Sequence, residues 1–173
     1  MGSGWLRAAV LRATATPATL GFTFLLLAQT AHLLEHVAQM IEIHLLGLAA
    51  ADARGIVGQL DVEWVHFIWN LGVFLALVAL VAMLGPNRIL VLVTLFAGWH
   101  LLEHDVIMQA FLATGLAGAP GLLAHGGVIG GGLPISRPDL HFVYNLIETA
   151  GIFAAWSYQL RRTTSPIARR STV

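Results

Sequence analysis

The sequence predicts an all-α integral membrane fold, with four transmembrane helices in an up-down-up-down bundle formed by two parallel, pseudo-symmetric helical-hairpin repeats. Three observations predict it. The chain of 173 residues is 57% hydrophobic and only 10% charged, whereas a soluble domain of this length needs charged side chains to cover its surface. Its apolar runs approach the roughly twenty residues that a helix needs to cross a hydrocarbon core of about 30 Å. The segment His-Leu-Leu-Glu-His occurs twice, at His32–His36 and at His100–His104.

Pro17 suits the first turn of the first helix, which stays apolar from Ala18 to about Leu48. Arg7 and Arg12 ahead of Leu20–Ala28 have the outline of a secretory signal. The apolar run continues past residue 31 without a small-x-small cleavage site, so the segment is expected as an uncleaved first helix. The second helix runs from about Asp61 to Leu84, where Gly85-Pro86 ends it, and the third from about Asn87 to Thr114. A stretch from Gly115 to Pro138 with eight glycines separates it from the fourth helix, Asp139 to about Leu160. One membrane domain, 1–173, is expected, with a short N-terminal segment 1–17, repeat one over 18–84, repeat two over 87–160 and a polar tail 161–173.

All nine basic residues are arginines. Arg7, Arg12, Arg88, Arg161, Arg162, Arg169 and Arg170 fall on the side that holds both termini and the middle turn, against Arg54 and Arg137 opposite. By the positive-inside rule this predicts a multi-pass protein of the cell membrane with both termini cytoplasmic. Net charge is zero and no basic run is interleaved with aromatics, so nucleic acid is excluded as a partner. The expected partners are the lipid bilayer, a lipophilic small-molecule substrate or other membrane subunits, and further copies of the chain. Cysteine is absent, which excludes disulfides, iron–sulfur clusters and thiolate zinc sites.

The repeat carries the chemistry. Ala31–Met40 and Trp99–Met108 share six identities at an offset of 68 residues, including His32/His100, Glu35/Glu103, His36/His104 and Met40/Met108. The even helices match at an offset of 75, with His66 and Asn70 against His141 and Asn145. Helices one and three then run the same way, as in parallel repeats about an axis along the membrane normal. At about 1.5 Å per residue the polar clusters of all four helices lie roughly 20–26 Å from their cytoplasmic ends. They converge on one layer toward the extracytoplasmic side.

Residues three and four apart share a helix face, so His32, Glu35 and His36 point together, as do His100, Glu103 and His104, His66 with Asn70, and His141 with Asn145. An ionisable side chain in the hydrocarbon region costs at least about 2.5 kcal/mol on the insertion scale, which marks such residues as functional. Neutral imidazole is the commonest metal ligand, and carboxylates bridge ions or orient the second ring nitrogen. These ten residues are therefore expected to hold two transition-metal ions, iron or copper ahead of zinc, as Glu and His do in soluble di-iron bundles. Helix-to-helix hydrogen bonding without a metal is the competing explanation.

Glu148, seven residues beyond His141, has Val73 as its counterpart and is expected to handle protons. Met40 and Met108 read as packing, Asp105 as outward-facing, Glu42 and His44 as interfacial, Trp64, Trp69, Trp99 and Trp156 as belt or packing aromatics. The glycine-rich loop, with His125, reads as a lid or a plain connector. His-x-x-Glu-His also matches an inverted zinc-protease pattern, but duplication of the motif argues against a single proteolytic zinc. Three functions follow. The first is a membrane metal-dependent oxidoreductase, monooxygenase-like or hydroxylase-like, with a redox or oxygen-activating centre. The second is metal transport, storage or a structural subunit of a membrane complex. The third is a bis-histidine haem b electron carrier, which leaves several histidines and both glutamates without a role.

Overall fold

The computed structural model describes residues 16–85 and 87–164. The N-terminal arginines Arg7 and Arg12, Pro86 of the middle turn, and Arg169 and Arg170 of the tail lie outside the described residues. The described chain is all-helical, with four long helices: α1 Pro17–His44, α2 Val62–Leu84, α3 Arg88–Thr114 and α4 Arg137–Thr164.

Local chemistry sets the boundaries. Thr16 caps α1 by accepting from Thr19 N, with Pro17 just inside. Asp61 accepts from Glu63 N and Trp64 N to cap α2, and Asn87 accepts from Ile89 N and Leu90 N to cap α3. Gly115 closes α3 in the left-handed conformation, donating its N–H to Phe111 O. α1 ends at His44, a turn before the expected Leu48. α4 starts two residues before Asp139 and continues past Leu160 into Arg161 and Arg162.

The helices pack in a ring, α1 on α2, α2 on α3, α3 on α4 and α4 back on α1. One apolar cluster joins Phe22 and Leu25 of α1, Val73, Leu77 and Leu80 of α2, Leu90, Val93 and Ala97 of α3, and Ile152 and Ala155 of α4. It gathers the N-terminal halves of α1 and α3 with the C-terminal halves of α2 and α4.

Polarity is inverted relative to a water-soluble protein. Phe24 is 74% and Leu95 68% exposed on the outside, while Gln29, His100, Glu103, Asn145 and Glu148 are fully buried. Hydrocarbon on the outer faces and hydrogen-bonding groups inside is the arrangement that lipid solvent requires. α1, α2 and α3 are long and apolar enough to cross a membrane, which marks the chain as a membrane resident. α4, at 28 residues, is as long but less apolar, carrying Arg137, Asp139, Glu148, Arg161 and Arg162.

At the end opposite the apolar cluster two segments fold over the helices. Residues 45–61 include a short 3-10 turn, Val57–Gln59. The glycine-rich segment is held by its own backbone: Leu133 N donates to Leu123 O at 2.7 Å, His125 N to Ile135 O at 2.9 Å and Ile129 N to Leu122 O at 3.0 Å. It is a folded cap rather than a plain connector.

Candidate metal centre

The i, i+4 spacing in α1 turns His32 and His36 to one face, where His66 of α2 meets them. α3 and α4 repeat the arrangement with His100, His104 and His141. Within each group one nitrogen per ring lies within 4.8 Å of the others, so small ring rotations bring three imidazoles onto one ion at bonds of about 2.0–2.1 Å.

The two triads adjoin. His66 stacks on His104 at 5.9 Å between ring centroids and 14° between planes, and His36 on His141 at 6.4 Å and 27°. With His36–His66 at 5.1 Å and His104–His141 at 4.5 Å, these four rings, one from each helix, close a circle. His32 and His100 each pack against their own pair.

No ring of the six is more than 4% exposed, and the Nε2 atom of every one is buried without a hydrogen-bond partner among the described residues. An unpartnered buried nitrogen costs about 1–3 kcal/mol, and a metal ion is one partner that can satisfy three such nitrogens at once. His66 is already oriented for one: its Nδ1 donates to Val62 O at 2.6 Å, which leaves the lone pair on Nε2. His100 Nδ1 lies 2.9 Å from Glu148 Oε2, the same orientation supplied by a carboxylate. Two buried His triads can hold metal ions, and neutral nitrogen donors suit zinc, copper or iron.

The other four expected ligands make hydrogen bonds to backbone groups. Glu35 Oε1 accepts from Val57 N and Gly58 N, and Glu103 Oε1 from Leu122 N and Leu123 N. Each carboxylate thus holds one outer segment down over its own triad. A Cβ on Gly55 or Gly121 would fall on Glu35 Oε1 or Glu103 Oε1, and both glycines have positive φ. Glu103 Oε2 is buried without a partner. Asn70 Nδ2 donates to His66 O, and Asn145 Nδ2 to His141 O, each closing a turn of its own helix. Among the His, Asp and Glu side chains of the described residues, the six histidines form the groups of metal-binding spacing.

Sequence reasoning missed four contributors. Gln29 is fully buried and donates from Nε2 to Asn145 Oδ1 at 2.8 Å; its place three residues before His32 was the available signal. Trp69, read as a belt or packing aromatic, stacks on His32 at 5.1 Å and 20°, and its counterpart Tyr144 packs edge-on to His100 at 5.2 Å. Glu63 Oε1 accepts from Arg137 Nη1 and Gly118 N, each at 2.8 Å, tying α2 to the second outer segment. Met108 is buried and Met40 half-buried. Asp105 accepts from Gln109 Nε2 on the outer side of α3, and His44 pairs with Asp139 at 2.7 Å at the exposed helix end. Trp156 Nε1 donates to Thr23 Oγ1, a packing role.

A cavity of about 190 Å³ descends from the two outer segments to His36, His66, His104 and His141. Its upper wall carries Arg54, Glu63, His125 and Arg137. A separate apolar groove, lined by residues such as Phe24, Ile68, Trp69 and Ala76, touches none of the six histidines. Comparison with known protein families, curated proteins and solved structures finds no match to this chain.

Proposed function

We propose that the chain is a four-span membrane protein whose two triads form a dinuclear transition-metal centre with redox or oxygen-activating chemistry. The observation that carries this reading is the set of six buried histidines, each with an unpartnered Nε2, in two groups of ligand spacing. The same reading takes the two hairpins as parallel repeats in an up-down-up-down bundle, consistent with the mixed helix ends in the apolar cluster. This reading takes both termini as cytoplasmic and the histidine layer as lying toward the outer face, on the support of the arginine distribution.

Copper is the favoured metal. With Glu35 and Glu103 engaged by the outer segments, the ligand set is nitrogen only and carries no charge. Imidazole binds copper most tightly among the divalent first-row ions, and a monovalent ion in a neutral buried shell is less costly than a trivalent one. Iron is the alternative, with Glu103 Oε2 turned inward. Held by the six histidines, such a pair of ions would supply redox or oxygen-activating chemistry. Glu148 orients His100, and its unpartnered Oε1 is where a proton can be held at the layer. A haem fits less well, because 190 Å³ falls below the roughly 300–1,000 Å³ of pockets that bury cofactor-sized ligands.

The test is direct. The protein is purified in detergent, its metals are counted by mass spectrometry and its absorption spectrum is recorded. About two copper or iron ions per chain, reduced in His36→Ala and in His104→Ala, support the centre. A Soret band with one haem iron per chain, or metal at background in a folded protein, overturns it. Metal transport or storage is separated by chelator challenge, since a cargo ion exchanges within minutes whereas a resident centre persists.

A further inference from the structure

We propose that the histidine layer is served from the aqueous outer face, through the 190 Å³ cavity, and takes small water-soluble anions rather than lipophilic molecules from the bilayer. The proposal rests on the dinuclear reading for what the anion meets, but the route and its charge preference stand on the chain alone.

Four observations carry it. The cavity reaches one histidine from each helix, so its floor is the face shared by both triads. Its walls come from the outer segments and the outer helix ends, not from the lipid-facing surfaces: Ala53, Arg54, Gly118 and Pro120 above, Val62 and Pro138 at the ends of α2 and α4. The apolar groove that does face lipid touches no histidine. A hydrocarbon entering there would stop at Trp69, which stacks on His32 and covers it.

Charge and size narrow the occupant. Two guanidiniums and one carboxylate line the passage. Glu63 neutralises Arg137 at 2.8 Å, while Arg54 is exposed and forms no ion pair among the described residues. Among the charged residues that line the cavity this leaves Arg54 as the surplus cation at the mouth, while the nearby carboxylates of Glu35, Glu42 and Glu103 are turned to backbone N–H groups of the outer segments. Low-dielectric walls focus the field of Arg54 and enrich anions. At about 30 Å³ for a water, the cavity holds on the order of six water-sized molecules. That admits a small anion with its remaining water, and excludes a long-chain or multi-ring substrate.

The absence of cysteine allows a test that needs no metal. Ala53→Cys places a thiol in the cavity wall and Ala76→Cys places one in the apolar groove. Each is treated in the detergent-solubilised protein with a sulfonate-bearing and a trimethylammonium-bearing thiosulfonate, and rates are divided by those of a free small thiol. At Ala53→Cys the normalised sulfonate rate is expected to exceed the ammonium rate about three- to tenfold, an advantage that Arg54→Gln removes and high salt suppresses. At Ala76→Cys neither charged reagent should react appreciably. A silent thiol at position 53 in folded protein, equal normalised rates, or a faster ammonium reagent overturns the proposal, whatever the metal content.

The second arm connects the passage to the centre. Copper-loaded, oxidised protein of measured stoichiometry is titrated with azide, followed by its charge-transfer absorption. Saturable azide binding that weakens about three- to tenfold in Arg54→Gln, is retained in Arg54→Lys and resists competition by decane is the expected result. Azide affinity unchanged in Arg54→Gln, or displacement by decane, overturns it. Absent copper and iron with the thiol result intact removes the dinuclear reading and leaves the anion passage standing.

Discussion

His100 Nδ1 lies 2.9 Å from Glu148 Oε2 with both side chains fully buried, whereas Val73 occupies the place of Glu148 in the first half and His32 stacks on Trp69 instead. The two triads share a spacing but not an outer partner. A carboxylate on the far ring nitrogen fixes the ring and raises its basicity as a ligand, and its loss typically lowers metal affinity about 10–100-fold. Glu148→Gln keeps the shape and removes the charge. It should weaken the His100–His104–His141 site by that factor and leave His32–His36–His66 unchanged. A competition titration with a chelator of known affinity reads this as one weakened and one intact binding step; equal weakening of both steps, or of neither, contradicts it.

Glu35 and Glu103 are expected to act as latches for the outer segments, not as metal ligands. Removing a buried carboxylate leaves two backbone N–H groups unsatisfied, at about 1–3 kcal/mol. Glu103→Ala should therefore lower thermal stability in detergent and speed hydrogen exchange at Leu122 and Leu123, and Glu35→Ala should do so at Val57 and Gly58. The Gln variants keep an acceptor and lose less. Metal per chain should stay at its natural level in all four; a drop in refolded, stable Gln variants would return these residues to the ligand set.

The latch geometry makes a sharper prediction at one glycine. Gly121 has φ +75°, and a Cβ there would fall on Glu103 Oε1, while Gly130 has φ +62° with open space around it. Both alanine substitutions carry the left-handed penalty of about 1–2 kcal/mol. Only Gly121→Ala also displaces the carboxylate, so its loss of stability should be larger, with faster exchange at Leu122. Equal losses would mean that the carboxylate has room to move aside.

Much of this was legible beforehand, for physical reasons. Thr16, Asp61 and Asn87 cap helices because short polar side chains accept from the first-turn amides, and that is a local rule. The i, i+4 histidines had to share faces, and the intramembrane penalty required those faces to turn inward, so one inward histidine layer could be read from spacing, whereas its division into two triads with His66 and His141 could not. The glutamates could not. Glu35 and Glu103 sit one residue before His36 and His104 on the same stripe, and only the folded outer segments, with their left-handed glycines, determine that these carboxylates serve backbone amides. The same limit hid the Glu63–Arg137 pair, which joins residues 74 apart in the chain. Trp69 and Tyr144 were hidden differently: each lies three residues past a histidine, where packing and belt roles look alike until the neighbouring helix is in place.

Asn145 gives the last discrimination, because its amide offers two distinct roles. Its Nδ2 donates to His141 O and its Oδ1 accepts from Gln29 Nε2, leaving no lone pair committed to a triad. Hydrogen bonds between helices in a membrane contribute about 0.6 kcal/mol on average and up to about 1.7. Asn145→Leu strands Gln29 in an apolar layer, and Gln29→Leu strands Asn145, so each single change should destabilise by an amount of this order. The double change removes both polar groups and should recover part of the loss, since replacing both partners of a buried pair by apolar groups is nearly neutral. A double-mutant cycle on thermal stability, with metal counted in each variant, separates the roles. Coupling with unchanged metal content identifies a strut between α1 and α4. Loss of one ion per chain in Asn145→Leu, with no coupling to Gln29, would instead identify Asn145 as a ligand.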